Sequence, residues 1–286
     1  MEVTEFLARH GGIASRKHTI AATSRRKVAA ALADHSVKLS NSRTLYLPET
    51  NIELVAAKTH HGQITCVTAL AHYGVTVWNH DTSKIHIAVK AGYRRIHTEN
   101  IVLHRESYSL SENLPFVPPI EAAMRAIRCV TSHYERVIML DSILNRRLIS
   151  PSALELAVSD LHDPKATLAL NAANGRARSG LETIARLELE STGLSVEVGV
   201  FIDGVGEVDF LIEGVLIMEI DGYEFHSDRD AFQNDRNRTR AAFLRGYPTL
   251  RFTYKDVLTP GTIRKAVLTA FRKNPTLQRM KSHRAA

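Results

Sequence analysis

Three carboxylates crowd one short stretch of this chain: Asp209, Glu219 and Asp221, within Glu207-Val-Asp-Phe-Leu-Ile-Glu-Gly-Val-Leu-Ile-Met-Glu-Ile-Asp-Gly222. The stretch reads as a β-hairpin turning at Glu213-Gly214. Strands normally avoid Asp and Glu, and a buried carboxylate is costly unless something pairs with it. Acids set into the most apolar and β-branched hairpin of the chain point to a bound cation. Side chains two apart on a strand share a face, so Glu219 and Asp221 point the same way, and Asp209 meets them across the ladder. Such a cation could stabilise developing negative charge and acidify a bound water. The hard-oxygen donors suit Mg²⁺ or Mn²⁺.

The elements around the hairpin form an ordered series. A helix is expected from about 180 to 191 and carries Glu182. Strands follow near 194–202, 206–212 and 215–221, then a helix over about 228–245 that ends at Gly246, a strand at 249–253 and a last helix after Pro260. Each acid also has a plainer explanation. Ser179-Gly-Leu-Glu182 is a capping box, which alone would account for Glu182. Glu219 and Asp221 could be the polar face of an edge strand. His226, just beyond them, suits a general acid or base as well as a helix cap. Arg236 and Arg238 suit phosphate contact or a solvated helix face.

The α-β-β-β-α-β order with these acids resembles the restriction-endonuclease-like, PD-(D/E)XK, superfamily. More specifically, Val208-Asp-Phe210, Glu219-Ile-Asp-Gly-Tyr-Glu-Phe-His226, Asp235-Arg-Asn-Arg238 and Gly246-Tyr-Pro-Thr-Leu-Arg-Phe-Thr253 resemble the Vsr-like (very-short-patch-repair-type) endonucleases over about residues 178–272. The resemblance implies that Asp209, Glu219 and the Ile220 carbonyl bind the metal, with Glu182 helping through water. The families also carry a His where His226 stands. The chain departs at Asp221, where the superfamily pattern has Lys. The missing positive charge must then come from elsewhere, with Arg236, Arg238, Arg251 and Lys255 as candidates.

Both ends of the chain are basic. Residues 1–48 hold eight Lys and Arg against three acids, and residues 261–286 hold seven and no acid, so a polyanionic partner is favoured. Residues 1–50 read as short helices followed by a hairpin, the layout of a winged helix-turn-helix, with Arg25, Arg26 and Lys27 opening the helix that would enter duplex DNA and Arg43 in the wing. Gly11-Gly-Ile-Ala-Ser15, Arg43-Thr-Leu-Tyr-Leu-Pro48, Ile64-Thr-Cys-Val-Thr-Ala-Leu-Ala-His-Tyr-Gly74 and Ile101-Val-Leu-His-Arg105 resemble the AbiEi-type antitoxins and regulators.

The middle region, 51–170, reads as a mixed α/β scaffold, with helices expected at 65–74, 120–132, 134–146 and 151–161. The Asn- and Gly-rich stretch 171–180 is the expected boundary before a nuclease domain at 178–275, and 276–286 is a basic tail. Seven histidines (His60, His61, His72, His80, His86, His97 and His104) fall between residues 60 and 104, yet no pair shows metal-ligand spacing. Cys66 and Cys129 stand alone and read as buried small hydrophobes. Two thiols, an acidic N-terminus without a signal-peptide core and no long apolar run lead to the expectation of a cytoplasmic protein with no membrane partner.

The expected whole is an α/β (α+β) multidomain chain acting as a Mg²⁺-dependent DNA endonuclease or nickase. A double-strand cut from one active site would call for a homodimer, and the AbiEi resemblance implies a toxin or antitoxin partner. The competing reading is a non-catalytic antitoxin-like regulator with a degenerate nuclease domain, favoured by Asp221. An RNA-cleaving toxin would share the same acids.

Overall fold

A computed structural model of the chain describes residues 1–41, 43–79, 81–94, 99–108, 110, 114–221 and 229–284. It is a mixed α and β structure with three small sheets among the described residues, and it divides into two compact units, Met1–Val130 and Thr131–Ala286. His226 lies outside the described residues.

In the first unit, helices α1 (Val3–Arg9), α2 (Arg16–Ala22) and α3 (Arg25–Ala33) are joined by strand β1 (Ile13–Ser15) and followed by β2 (Lys38–Ser40) and β3 (Thr44–Tyr46). Ser15 and Ser24 cap α2 and α3 by accepting the N–H groups of His18 and Lys27. The strands pair antiparallel in the order β1-β3-β2 around Phe6, Leu7, Val28, Val37 and Leu45. Strand β1 was not expected. It is three residues long, too short for an alternation to register, and exists because Ile13–Ser15 pairs with Thr44–Tyr46.

The unit continues with α4 (Ile52–Thr59), β4 (Gln63–Ile64), α5 (Cys66–His72), β5 (Ile85–Lys90), β6 (Ile101–Glu106) and α6 (Pro119–Cys129). β4 runs antiparallel and β6 parallel to β5, with His86 opposite Val102 and Ala88 opposite His104. Helices α5 and α6 bring Val67, Leu70, Ala122, Ala126 and Ile127 into the interior.

The second unit opens with α7 (His133–Asn145), α8 (Pro151–Asp160) and α9 (Pro164–Asn171). The expected 51–170 scaffold is therefore not one compact body, because α7–α9 belong to the same unit as the acidic hairpin. The expected boundary at 171–180 likewise falls inside this unit. It is fastened there by Asn174 N–H donating to Asp141 and Asn145 Nδ2 donating to the Gly175 carbonyl, so its Asn and Gly make a bound turn rather than a free linker.

Next come α10 (Gly180–Glu190), β7 (Val196–Ile202), β8 (Gly206–Ile212), β9 (Leu216–Asp221), α11 (Arg229–Leu244), β10 (Thr249–Thr253), α12 (Tyr254–Leu258), α13 (Thr262–Lys273) and α14 (Pro275–Arg284). The sheet order is β10-β9-β8-β7, with only β10 and β9 parallel. The β8–β9 turn holds Glu213 and Gly214 at positive φ, 51° and 66°, closed by Val215 N–H to the Ile212 carbonyl. One core joins Phe210, Met218, Ala185, Leu189, Ile263 and Val267; a second joins Val208, Leu211, Ile217 and Ala242. The sheet is thus covered on two sides, and its acidic corner lies where β8 and β9 leave the apolar packing. Residues 276–284, read as part of a basic tail, lie in helix α14, whose Leu277 is buried.

Candidate functional site

The acids converge where the hairpin ladder stops. Backbone pairing of β8 with β9 runs from Ile212–Leu216 to Phe210–Met218. One step further, side chains take over. Asp209 Oδ2 accepts the Ile220 N–H at 2.8 Å, and Glu219 Oε2 accepts the Asp209 N–H at 3.4 Å. Across the sheet, Gly199 sits between the paired positions Val198–Phe210 and Val200–Val208 with φ 59°. An L side chain is disfavoured in that conformation.

Two guanidinium groups close the cluster. Arg178 bridges Glu207 Oε2 (3.0 Å) and Asp209 Oδ1 (2.9 Å). Arg238, on α11, donates to Glu219 Oε1 at 2.8 Å and to the Glu207 carbonyl at 2.6 Å, while its Nε is buried without a partner among the described residues. Glu182 is buried on the first turn of α10 and accepts the Arg178 N–H at 2.9 Å. Ser179 Oγ accepts the Glu182 N–H as a capping box requires, but the Glu182 carboxylate reaches back to Arg178 rather than to Ser179 itself.

The electrostatics follow from this crowding. Burial, then repulsion from Asp209, pushes Glu219 up to about 7, against the pull of Arg238. Burial likewise raises Glu182, opposed by the Arg178 N–H and reinforced by Asp209. Two carboxyls that resist ionisation beside a third would gain from further positive charge beyond the two arginines.

Of the remaining expected residues, Asp221 is exposed at the end of β9 and pairs with Arg251 Nε at 3.5 Å. The Ile220 N–H is taken by Asp209. Arg236 is exposed on α11. In the first unit Arg25 and Arg26 are exposed on the first turn of α3, whereas Lys27 is tied to Glu2 Oε1 at 2.8 Å. Arg43 is exposed in the β2–β3 turn, its carbonyl accepting the Arg16 N–H. Arg178 was not among the sequence candidates, because Arg176-Ala-Arg178 sits in a stretch that reads as linker. Its one signal is position, directly before the helix cap.

The cysteine and histidine readings need correction. Cys66, His86, His104 and Cys129 come together in the first unit, with donor atoms all within 4.8 Å of one another, a group that could hold a metal ion. His86 Nδ1 lies 2.9 Å from His104 Nε2 and 3.9 Å from Cys129 Sγ. Burial disfavours the Cys66 thiolate, while the Cys66 thiol and both imidazoles favour that of Cys129. Sequence spacing could not show this group, since its four members come from four elements. Of the other histidines, His60 packs against Tyr93 and His72 pairs with Glu53. His80 and His97 lie outside the described residues. No helix among the described residues is long and apolar enough to cross a membrane.

No family model matches the chain. No curated protein matches it either. Among solved structures, the chain is similar to the RV2827C protein from Mycobacterium tuberculosis, with a TM-score of 0.39 and 15% identity over 65% of this chain and 80% of that one.

Proposed function

We propose that the second unit is a Mg²⁺-dependent DNA endonuclease or nickase, served by a winged helix formed by residues 1–50. The observation that carries the reading is the convergence of Asp209 and Glu219, whose carboxylates accept the Ile220 and Asp209 N–H groups, with the buried Glu182 feeling the charge of Asp209. The α10-β7-β8-β9-α11-β10 order supports a restriction-endonuclease-like core, and the β1-β3-β2 sheet behind α3 supports the winged helix.

The donor set fits a hard divalent cation. It is all oxygen, it includes a carboxyl at about 7 that gains from added positive charge, and Mg²⁺ keeps several waters around only one or two carboxylates. Asp209, Glu219 and the Ile220 carbonyl would hold the ion, and Glu182 would orient a water. The cation supplies Lewis-acid stabilisation of phosphoryl charge and a more acidic water. Arg238, whose side chain is partly exposed beside Glu219, would donate from its guanidinium to a phosphate oxygen, the part played by Lys in the superfamily pattern. Arg178 holds Asp209 and Glu207 in place. Arg25, Arg26 and Arg43 would contact the duplex backbone, which fixes register without reading sequence.

Plasmid nicking with Mg²⁺ or Mn²⁺ tests the reading. Wild type converts supercoiled to open-circular DNA and Asp209→Ala does not. If wild type leaves all DNA forms intact with both ions, or Asp209→Ala cuts equally well, the reading fails.

One observation favours a second reading, a non-catalytic DNA-binding regulator. Asp209 and Glu219 are each paired with an arginine, Arg178 and Arg238, which balance their charge from within the protein. Sequence-specific, salt-sensitive DNA binding that survives EDTA, with no turnover, would decide for it.

A further inference from the structure

We propose that Cys66, His86, His104 and Cys129 bind one Zn²⁺ ion as a closed structural site within the first unit, separate from the carboxylate site. The donor set is two thiols and two imidazoles, which with tetrahedral geometry selects zinc over the oxygen-seeking Mg²⁺ and Ca²⁺. With metal–ligand bonds of about 2.0–2.3 Å, a tetrahedral shell spaces its donors by about 3.3–3.8 Å. The four donors here, all within 4.8 Å of one another, need only side-chain adjustment to reach it. The span suits one ion, whereas a two-iron cluster divides such ligands between two metals.

Charge argues the same way. Cys66 is fully buried, so a lone thiolate there is penalised, but two thiolates around a dication leave the site neutral. Thiols and histidines converging from unrelated stretches also need more than packing to account for them, since small hydrophobes would fill the space without polar atoms to satisfy.

The surrounding structure holds each ligand on its own support. Cys66 starts α5 with φ 56°, a left-handed conformation that costs a non-glycine residue free energy and here occurs at a helix start rather than a helix end. The Thr65 N–H donates to the His86 carbonyl, and the His86 N–H to Thr68 Oγ1, both at 3.0 Å, so α5 and β5 are locked together around the first two ligands. His104 lies on β6 at the position opposite Ala88, which puts it on the face of His86. The other two ligands are clamped by Arg125 and the buried Glu106, paired through two 2.6 Å hydrogen bonds. Arg125 precedes Cys129 by one turn of α6, and Glu106 follows His104 by two residues of β6. All four coordination positions are filled by protein, so the ion would be structural, pinning α5, α6, β5 and β6.

Metal analysis of the full-length protein is the test. About one zinc per chain is expected, retained in Asp209→Ala and Glu219→Ala and lowered at least about tenfold in Cys66→Ser/Cys129→Ser. Zinc-stripped wild type given Co²⁺ should show sulfur-to-cobalt charge transfer in the near ultraviolet and the strong visible bands of a tetrahedral ion. That reading on wild type stands even if the double variant fails to fold. Because Cys66 and Cys129 are the chain's two thiols, thiol titration adds a third measure. Both should be protected until a chelator is added, whereas shielding by burial alone would not respond to it. Absence of zinc together with a cobalt spectrum lacking thiolate bands overturns the proposal. So does wild-type zinc content in a folded double variant, stoichiometric iron or copper in place of zinc, or thiol reactivity that the chelator leaves unchanged. Failure of the nuclease reading leaves these outcomes untouched, since none depends on cleavage.

Discussion

Asp209 and Glu219 stitch β8 to β9 with their side chains at the point where the backbone ladder gives out, Asp209 accepting from Ile220 and Glu219 from Asp209 itself. The same two carboxylates are therefore structural hydrogen-bond acceptors and the proposed metal ligands. Arg178 and Arg238 balance their charge.

That balance makes Arg238 a competitor for the cation as well as a donor to phosphate. Arg238→Ala is expected to lower the nicking rate by about 10²-fold, the scale of losing one donor to transition-state charge. The Mg²⁺ concentration for half-maximal rate should fall at the same time, because Glu219 loses its fixed positive partner. Titrating nicking against Mg²⁺ reads both quantities. An unchanged rate, or a higher Mg²⁺ requirement, would contradict this role.

Glu219 makes stability pH-dependent in a definite direction. Its carboxyl ionises at about 7 in the fold against 4.5 for the ordinary group, so the unfolded chain gives up the proton first. Fold stability then declines as pH rises from about 4.5 to about 7, by something on the order of 1–3 kcal/mol, and stays level above. Glu219→Gln should raise the melting temperature of chelator-treated protein near pH 8 and leave it unchanged near pH 4.5. Mg²⁺ should stabilise wild type more at the higher pH, since it binds the ionised form. Melting curves for the two proteins that coincide at both pH values would refute the assignment.

Asp141 and Arg186 form an ion pair with both side chains only 2% exposed, and Thr183 donates to the same Asp141 oxygen. The pair ties α7 to α10, the helix that carries Glu182. Asp141→Ala leaves the buried Arg186 with only Glu190 Oε1, at 2.8 Å, as its charge partner and should cost on the order of 2–3 kcal/mol. Urea unfolding followed on the second unit's transition would read it. A loss below about 1 kcal/mol would show that Glu190 alone suffices to balance Arg186.

On the first unit, Arg25 and Arg26 point into solvent while Lys27 is engaged by Glu2. Arg25→Ala and Arg26→Ala should each weaken DNA binding across sequences and reduce the salt slope by about 1. Lys27→Ala should do less. Fluorescence anisotropy over a range of salt concentrations separates the three, and equal losses at all three positions would remove the distinction.

The hairpin acids were readable because their partners are near in sequence. A tight turn at Glu213-Gly214 fixes which residue of β8 faces which residue of β9, so Asp209 and Glu219 follow from alternation alone. The helix of Glu182 was readable from its cap. Arg178 was not, because an arginine in an Asn- and Gly-rich stretch looks like linker until Asn174 and Gly175 are seen fastened to α7. Nor was the division after Val130, which follows from α7 packing with α10 rather than from any change in composition.

The amino-acid sequence by itself determined the acids of the β8–β9 hairpin, most of the helices and strands that support them, and the basic character of both ends. These are local properties, set by side-chain periodicity, caps and turns. The tertiary structure alone decided that Arg178 and Arg238 meet those acids and that Cys66, His86, His104 and Cys129 meet one another. Such meetings depend on how β5 and β6 align and how α5, α6 and α11 pack against the sheets, and packing between distant segments leaves no periodic trace along the chain.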